Sequence, residues 1–246
     1  MTVPWTIGVF LAAAGLALGS FAVTAGLRRS EGRQALWGRS ACDACGRTLG
    51  MLQTIPVVSY VRQSGACTAC GARIDPLHLV GELAGAAVVL SAFWIASPAR
   101  ATGLGLLGLM LLAIAVVDLK VQRIPNLYSA LVAAVCLGLS TERGEGALVA
   151  GVLWGAGTGG LLLALAAVGK RWLGEGILGL GDVKLMGALA IWLGPATPAM
   201  VLTASLLGLA SAPLLARGDR RIPFGPMIAL GAWTVGLVSE AHGPWL

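Results

Sequence analysis

Gly179-Leu180-Gly181-Asp182-Val183-Lys184-Leu185 opens an apolar run with a carboxylate, and Val116-Val117-Asp118-Leu119-Lys120, with its aspartate sixty-four residues upstream, closes one the same way. Hydrocarbon penalises ionisable groups, so an aspartate at membrane depth points to function. One interfacial aspartate alone reads as a solvated helix end. Two of them, each at the junction of an apolar run and a basic segment, suggest a pair.

Outward from these stretches the chain is apolar throughout. Of its 246 residues 57% are hydrophobic and 11% charged, and the mean hydropathy is +0.85. That is too apolar for a soluble domain, and the runs are too long for core helices. Eight hydrophobic spans are predicted, over 5–27, 79–96, 101–117, 127–139, 147–169, 183–194, 198–216 and 224–240. The expected fold is therefore an all-α polytopic membrane protein. The fourth and sixth spans are short for a hydrocarbon core of about 30 Å, so they should extend into their flanks or border a thinned region.

A net charge of +6 does not point to nucleic acid, because the basic residues form no stripe and do not alternate with aromatics. They follow topology instead. With the first connection cytoplasmic, fifteen Lys and Arg residues face that side, from Arg28 through Arg221, against only Arg100 and Arg143 on the other. This positive-inside pattern places both termini outside and both aspartates at the cytoplasmic face. No Lys or Arg precedes Arg28, so the first span lacks the basic start of a cleaved signal and should be retained. Trp5, Trp94, Trp192, Trp233 and Trp245 near outer ends and Trp172 near an inner one fit an interfacial belt.

Residues 28–78 interrupt the pattern and hold Cys42-Asp43-Ala44-Cys45-Gly46 and Cys67-Thr68-Ala69-Cys70-Gly71. Each Cys-x-x-Cys turn aims two sulfurs at one ion, and two turns close a tetrahedral zinc site. Disulfides are the competing reading, which a reducing cytosol disfavours. With no open ligand position, Cys42, Cys45, Cys67 and Cys70 are expected to hold structural Zn2+ in a small ribbon, each second cysteine being followed by a glycine suited to positive φ. The predicted division is residues 1–27 as a first transmembrane helix, 28–78 as a cytoplasmic zinc-ribbon domain, and 79–246 as a seven-helix transmembrane domain.

Gly15 and Gly19, and Gly151, Gly155 and Gly159, have the spacing of close helix contacts. Cys136 reads as apolar filler. His78 and Glu82, four apart on one face, form either a surface pair or a polar contact pointing into the site. Pro125 favours a tight hairpin after Asp118, from which Lys120 and Arg123 snorkel. The arginines of the last inner loop, Arg217 to Arg221, follow topology. Gly174, Gly176, Gly179 and Gly181 make a mobile loop that lets substrate approach the backbone. A phosphate loop is a weak alternative, since Gly-x-Gly-x-x-Gly and its βαβ context are missing. Lys184, two residues past Asp182, points to another face. Gly179, Gly181, Lys184 and Glu82 are the candidate substrate-contacting residues.

Two carboxylates at one depth can work as an aspartyl protease dyad. One takes a proton from attacking water, while the other, protonated, polarises the peptide carbonyl and serves the leaving amine. The dipole of the helix that Asp182 opens makes it the expected base. A proton-coupled transporter would need polar residues running to the outer face, where the spans are almost purely apolar; a catalytically silent assembly scaffold would have no need of two such carboxylates.

The chain resembles the bacterial type IV prepilin peptidases, membrane aspartyl proteases with a Gly-x-Gly-Asp motif. The resemblance rests on Gly19-Ser20-Phe21, both cysteine turns, Ile55-Pro56-Val57-Val58-Ser59-Tyr60, Glu82-Leu83, Asp118 with Ile124-Pro125-Asn126, Gly179 to Leu185, and Ile222-Pro223-Phe224-Gly225-Pro226. It implies catalysis by Asp118 and Asp182 and removal of a short basic leader, after a glycine, from prepilins and pseudopilins of type IV pili and type II secretion. The place implied is the cytoplasmic face of the bacterial inner membrane. It also implies methylation of the new amino terminus with S-adenosylmethionine, an activity the family associates with the zinc-bearing region. Val23 and Thr24, Gln53 and Leu77-His78-Leu79 depart from the family pattern, and these departures leave a peptidase without methyl transfer as the alternative.

Overall fold

The computed structural model describes residues 4–34, 38–173, 178–215 and 222–243. Among them are eight long helices. These are α1 (Trp5–Ser30), α3 (Pro76–Ile95), α4 (Pro98–Val121), α5 (Asn126–Thr141), α6 (Glu145–Leu173), α7 (Leu180–Leu193), α8 (Thr197–Leu215) and α9 (Gly225–His242). A one-turn α2 (Val58–Arg62) lies between α1 and α3. The eight long helices match the eight predicted spans. Five stretches, Trp5–Ser30, Pro76–Ile95, Pro98–Val121, Glu145–Trp172 and Leu180–Pro213, are long and apolar enough to cross a membrane, the last running from α7 into α8. At 16 and 14 residues, α5 and α7 are the short helices expected. Arg217 to Arg221, Gly174, Gly176 and Trp245 lie outside the described residues.

In lipid, helices gain little from hiding apolar surface, so association depends on close packing and polar contacts. The glycines provide the first. A Cβ on Gly15 would lie 2.8 Å from the carbonyl oxygen of Gly85, and one on Gly19 would lie 2.9 Å from Gly85 Cα. Gly81 and Gly85 on α3 thus mirror Gly15 and Gly19 on α1, and the two backbones run antiparallel in contact. Gly155 similarly faces the carbonyl oxygen of Gly187 at 2.9 Å, joining α6 to α7. The core is formed by Leu104, Leu107 and Ile114 of α4, Val132 and Cys136 of α5, Leu185 and Leu189 of α7, Met200 of α8 and Ile228 of α9. Cys136 is fully buried there, as filler. Exposed Phe10, Leu153, Leu161 and Leu165 form an apolar exterior suited to lipid.

Polar contacts gather at the end of the bundle opposite the aspartates. Glu240, near the end of α9, accepts from Arg100 Nε and Nη2, both at 2.7 Å, from Arg143 Nη2 at 2.6 Å and from Trp192 Nε1 at 2.8 Å. Arg100 and Arg143 also donate to the carbonyl oxygens of Leu139 and Trp192. The two arginines expected on the outer side therefore converge on one carboxylate that joins α4, α7, α9 and the α5–α6 turn. Here the expected interfacial belt needs correction. Trp5, Trp94 and Trp172 are exposed, but Trp192 is 1% exposed. It is drawn inward by the hydrogen bond that its indole N–H can make with Glu240. Trp233 packs against the core.

Breaking a buried ion pair from one side leaves a charge without its partner. Glu240→Gln should therefore lower stability by roughly 3 kcal/mol, measured as a fall in the unfolding midpoint in mixed detergent. An unchanged midpoint would show that these charges do not hold the helices together.

Candidate active site and metal centre

Asp118 sits in the last turn of α4 and is 4% exposed. A carboxylate buried so deeply needs donors. Gly225, the first residue of α9, supplies one, its backbone N–H donating to Asp118 Oδ2 at 2.7 Å. A helix start has amides without intrahelical partners and the positive end of the dipole. The residue there must be small, because a Cβ on Gly225 would lie 2.9 Å from both Oδ2 and Cβ of Asp118. This gives Ile222-Pro223-Phe224-Gly225-Pro226 its physical meaning. The prolines fix the entry to the helix, and the glycine lets backbone reach carboxylate. The residue-level reading of the sequence missed Gly225. Its signal was a glycine held between Pro223 and Pro226 at a helix start.

Asp182 lies in the first turn of α7, facing the backbone N–H of Gly179, the residue capping that helix. Asp118 lies close enough for its charge to act on Asp182. Gly181 packs on the hairpin between α4 and α5, where its Cβ would stand 3.1 Å from that of Ile124. The hairpin is the tight one expected, with Gln122 in the left-handed region at φ 52°. Lys184 Nζ donates to Asn126 Oδ1 at 2.9 Å, away from Asp182, and so ties α7 to α5. Gly179 therefore lies against Asp182, with Gly181 in the same helical turn, while Lys184 is turned away from them.

Glu82 is bonded elsewhere. It is 7% exposed on α3 and accepts from Ser20 Oγ of α1 at 2.9 Å and from the backbone N–H of Val57 at 2.7 Å. Val57, at φ 62°, holds a conformation that costs a β-branched residue energy, and its amide is fixed by this bond. Among the described residues no hydrogen bond or ion pair joins Glu82 to His78. Lys120 does more than snorkel, since its Nζ meets Asp75 Oδ2 at 2.6 Å and links the end of α4 to the segment before α3. Partial burial pushes the Asp75 carboxyl up. The Lys120 ammonium and the Leu77 N–H outweigh it and hold the carboxyl below the usual range, so the link persists at neutral pH and is lost only in acid.

The cysteine segment folds as two similar knuckles. In the first, Cys42 N–H donates to the carbonyl of Arg47 and Gly46 N–H to that of Cys42; in the second, Cys67 pairs with Ala72 and Gly71 with Cys67 in the same way. Gly46 and Gly71 have φ of 70° and 71°, the positive values expected after each second cysteine. All four cysteines are free thiols whose sulfurs lie within 4.8 Å of one another, with Cys42 and Cys70 Sγ at 3.9 Å. Four Zn–S bonds of about 2.3 Å in a tetrahedron put sulfurs roughly 3.8 Å apart, so the cluster can hold such an ion. Backbone N–H groups of Ala69 and Cys70 bring the Cys67 thiol down to about 6, favouring the thiolate that a metal requires.

Comparison with known proteins gives two family matches. The bacterial peptidase A24 N-terminal domain matches residues 13–96, including the four cysteines and Glu82, and the type IV leader peptidase family matches residues 105–212, including both aspartates. The prepilin leader peptidase/N-methyltransferase of Bacillus subtilis is 32% identical over 228 residues, 89% of each chain. The type 4 prepilin-like proteins leader peptide-processing enzyme of Escherichia coli is 32% identical over 200 residues, 78% of this chain and 73% of the relative. The prepilin leader peptidase/N-methyltransferase of Burkholderia pseudomallei is 35% identical over 205 residues, 78% and 65% of the two chains. No solved structure matches the chain.

If the four sulfurs hold zinc, the purified protein should carry about one equivalent by elemental analysis. Cys42→Ser should remove it and expose residues 38–75 to protease. A metal-free wild type with a protease-resistant segment would rule out the ribbon.

Proposed function

This chain belongs to the type IV leader peptidase family, and from that membership we propose that it is a membrane aspartyl endopeptidase that removes the short basic leader of prepilins and pseudopilins after a glycine. Asp118 and Asp182 are its catalytic pair. The observation that carries this reading is that two carboxylates sixty-four residues apart in sequence, on α4 and α7, meet at one end of the bundle, each facing a backbone N–H. These amides hold the carboxyl groups in place. Asp182, the more accessible, takes a proton from the attacking water. Asp118 polarises the scissile carbonyl and serves the departing amine. Gly179, which caps α7, and Gly181, in its first turn, themselves present no side chain to an extended substrate.

The cytoplasmic face is the proposed side of reaction. Lys and Arg collect at the aspartate end, while Arg100 and Arg143 at the other end are engaged by Glu240. A transporter's proton path would have to cross the layer of Leu107, Leu111, Ile114 and Ile228, which is buried and apolar. Residues 28–78 serve as a zinc-bearing cytoplasmic module between the first helix (1–27) and the seven-helix protease part (79–246). Methylation of the freed amino terminus, with S-adenosylmethionine as donor, is the second proposed activity. It is supported by the N-terminal domain match and by the names of the relatives.

Asp118→Asn and Asp182→Asn should each reduce leader removal from a purified prepilin by at least ~100-fold, with the helical circular dichroism unchanged. Near-normal turnover of either variant would refute the pair. Gly225→Ala should lower turnover by about tenfold or more, since its methyl group displaces the Asp118 carboxylate. Full activity of that variant would mean that the amide contact does not position Asp118.

A further inference from the structure

One edge of the cysteine module is apolar on the outside and polar within. Met51, Leu52, Ile55, Val58 and Val61 are all exposed, from 41% at Ile55 to 89% at Met51, and among the described residues they are the module's only exposed large apolar side chains. The polar side chains of the same stretch turn inward. Gln53 accepts from the Gly50 N–H and donates to Thr68 Oγ1, Thr54 donates to the carbonyl oxygen of Met51, and Gln63 donates to that of Ser59. In α2, Val58 and Val61 share a face that looks outward, while Ser59 is buried. A surface made for water has the opposite arrangement. Polar groups satisfied internally beneath an apolar exterior are what lipid requires.

The height of this stretch agrees. With 20 residues, α3 is about 30 Å long, the thickness of the hydrocarbon core, and it is one of the helices apolar enough to cross it. Glu82 comes six residues after Pro76, the first of α3, so it lies roughly 9 Å along the helix from the aspartate end of the bundle. Its bond to the Val57 N–H therefore holds the stretch within the bilayer's edge and not out beyond it. Phe21, next to the Ser20 that also meets Glu82, and Val80 and Leu83 on either side of Glu82 are exposed at the same height. The apolar edge of the module continues the lipid-facing exterior of α1 and α3.

We propose that residues 51–61 are a monotopic membrane anchor, lying in the interfacial layer of the bilayer with their five apolar side chains among the upper acyl chains. Arg62, exposed at the end of α2, has the reach to set its guanidinium among the lipid phosphates. The contact adds to the bonds of Glu82 and Asp75 in fixing the module beside α1 and α3. The occupant is lipid because the patch is apolar whether or not a substrate is present, and lipid is the cover that is always there. The inference depends on α3 as a membrane span and on neither proposed activity.

Depth in the bilayer provides the test. Nitroxide labels are placed singly, through an unnatural amino acid, at Leu52, Val58 and Val61 of the full-length protein in phospholipid vesicles, with exposed Arg47 as the reference. Collisions with oxygen, which enters lipid, and with a water-soluble nickel chelate should set the three labels about 5–10 Å below the phosphates and the Arg47 label outside them. The wild type, which needs no variant to fold, should be crosslinked within residues 51–61 by a phospholipid carrying a diazirine near the top of its acyl chain. Labels as open to nickel as the one at Arg47, or a wild type with no lipid adduct in this stretch, would overturn the anchor. So would labels that nickel reaches in the enzyme alone and that are shielded only when an uncleaved prepilin is added, which would assign the patch to the substrate. Labels shielded from both reagents without substrate would assign it to a second copy of the chain and overturn the anchor equally.

Discussion

A carboxylate buried in a membrane protein must be given a donor, and Asp118 obtains one only because α9 begins beside it. The requirement extends through the bundle. The Gly225 amide reaches Oδ2 only if α9 is held at the right height along α4, and α9 is held at its other end too, where Glu240 meets Arg100. One antiparallel helix pair is thus fixed at both ends by polar contacts, with the apolar layer of Leu107, Leu111, Ile114 and Ile228 between them. The opposite-end contacts also take in Trp192 of α7, the helix that presents Asp182. Both aspartates therefore depend on a charge cluster across the bundle.

The second half of the architecture rests on backbone contact. Gly15 and Gly19 against Gly81 and Gly85 let α1 and α3 touch without intervening side chains. Glu82 follows Gly81 and Ser20 follows Gly19, so the contact that joins the helices also sets the hydroxyl against the carboxylate. The other oxygen of Glu82 fixes the Val57 amide at the entrance to α2, and so connects the cysteine module to the helices. Lys120 and Asp75 make a second connection, from the end of α4. The cysteine module's link and Asp118 thus both draw on the last turn of α4.

Much of this was legible in the sequence. Hydropathy located eight helices because a lipid-facing helix needs a long run of apolar residues and little else. Glycine spacing announced both close interfaces, and cysteine spacing with a following glycine announced both knuckles, since these are local properties of a few consecutive residues. Lys184 was correctly separated from Asp182 by helical geometry alone. What was not legible is pairing across distance. Asp118 meets Gly225 over 107 residues, Ser20 meets Glu82 over 62, and Arg100 meets Glu240 over 140. No periodicity encodes such partners. Trp192 was misread for the same reason: its place near a helix end suggested the interface, and only the position of Glu240 on α9 accounts for its burial.

These long-range contacts share one physical form. Each joins a buried or half-buried carboxylate to donors on other helices, and those of Asp118 and Glu240 lie at the two ends of the bundle, where irregular backbone and water can satisfy what hydrocarbon cannot. Asp118 and Asp182 draw on amides at helix starts, Glu240 on two guanidinium groups and an indole, and Glu82 on a hydroxyl and one strained amide. Among the described residues, Glu240 is bound to cations and closed. Glu82 and the aspartates are bound only to neutral groups and keep their charge available. A carboxylate already neutralised by arginine serves best as a fastening. One held by neutral donors has capacity left for a proton, and both aspartates stand where the proposed chemistry needs that.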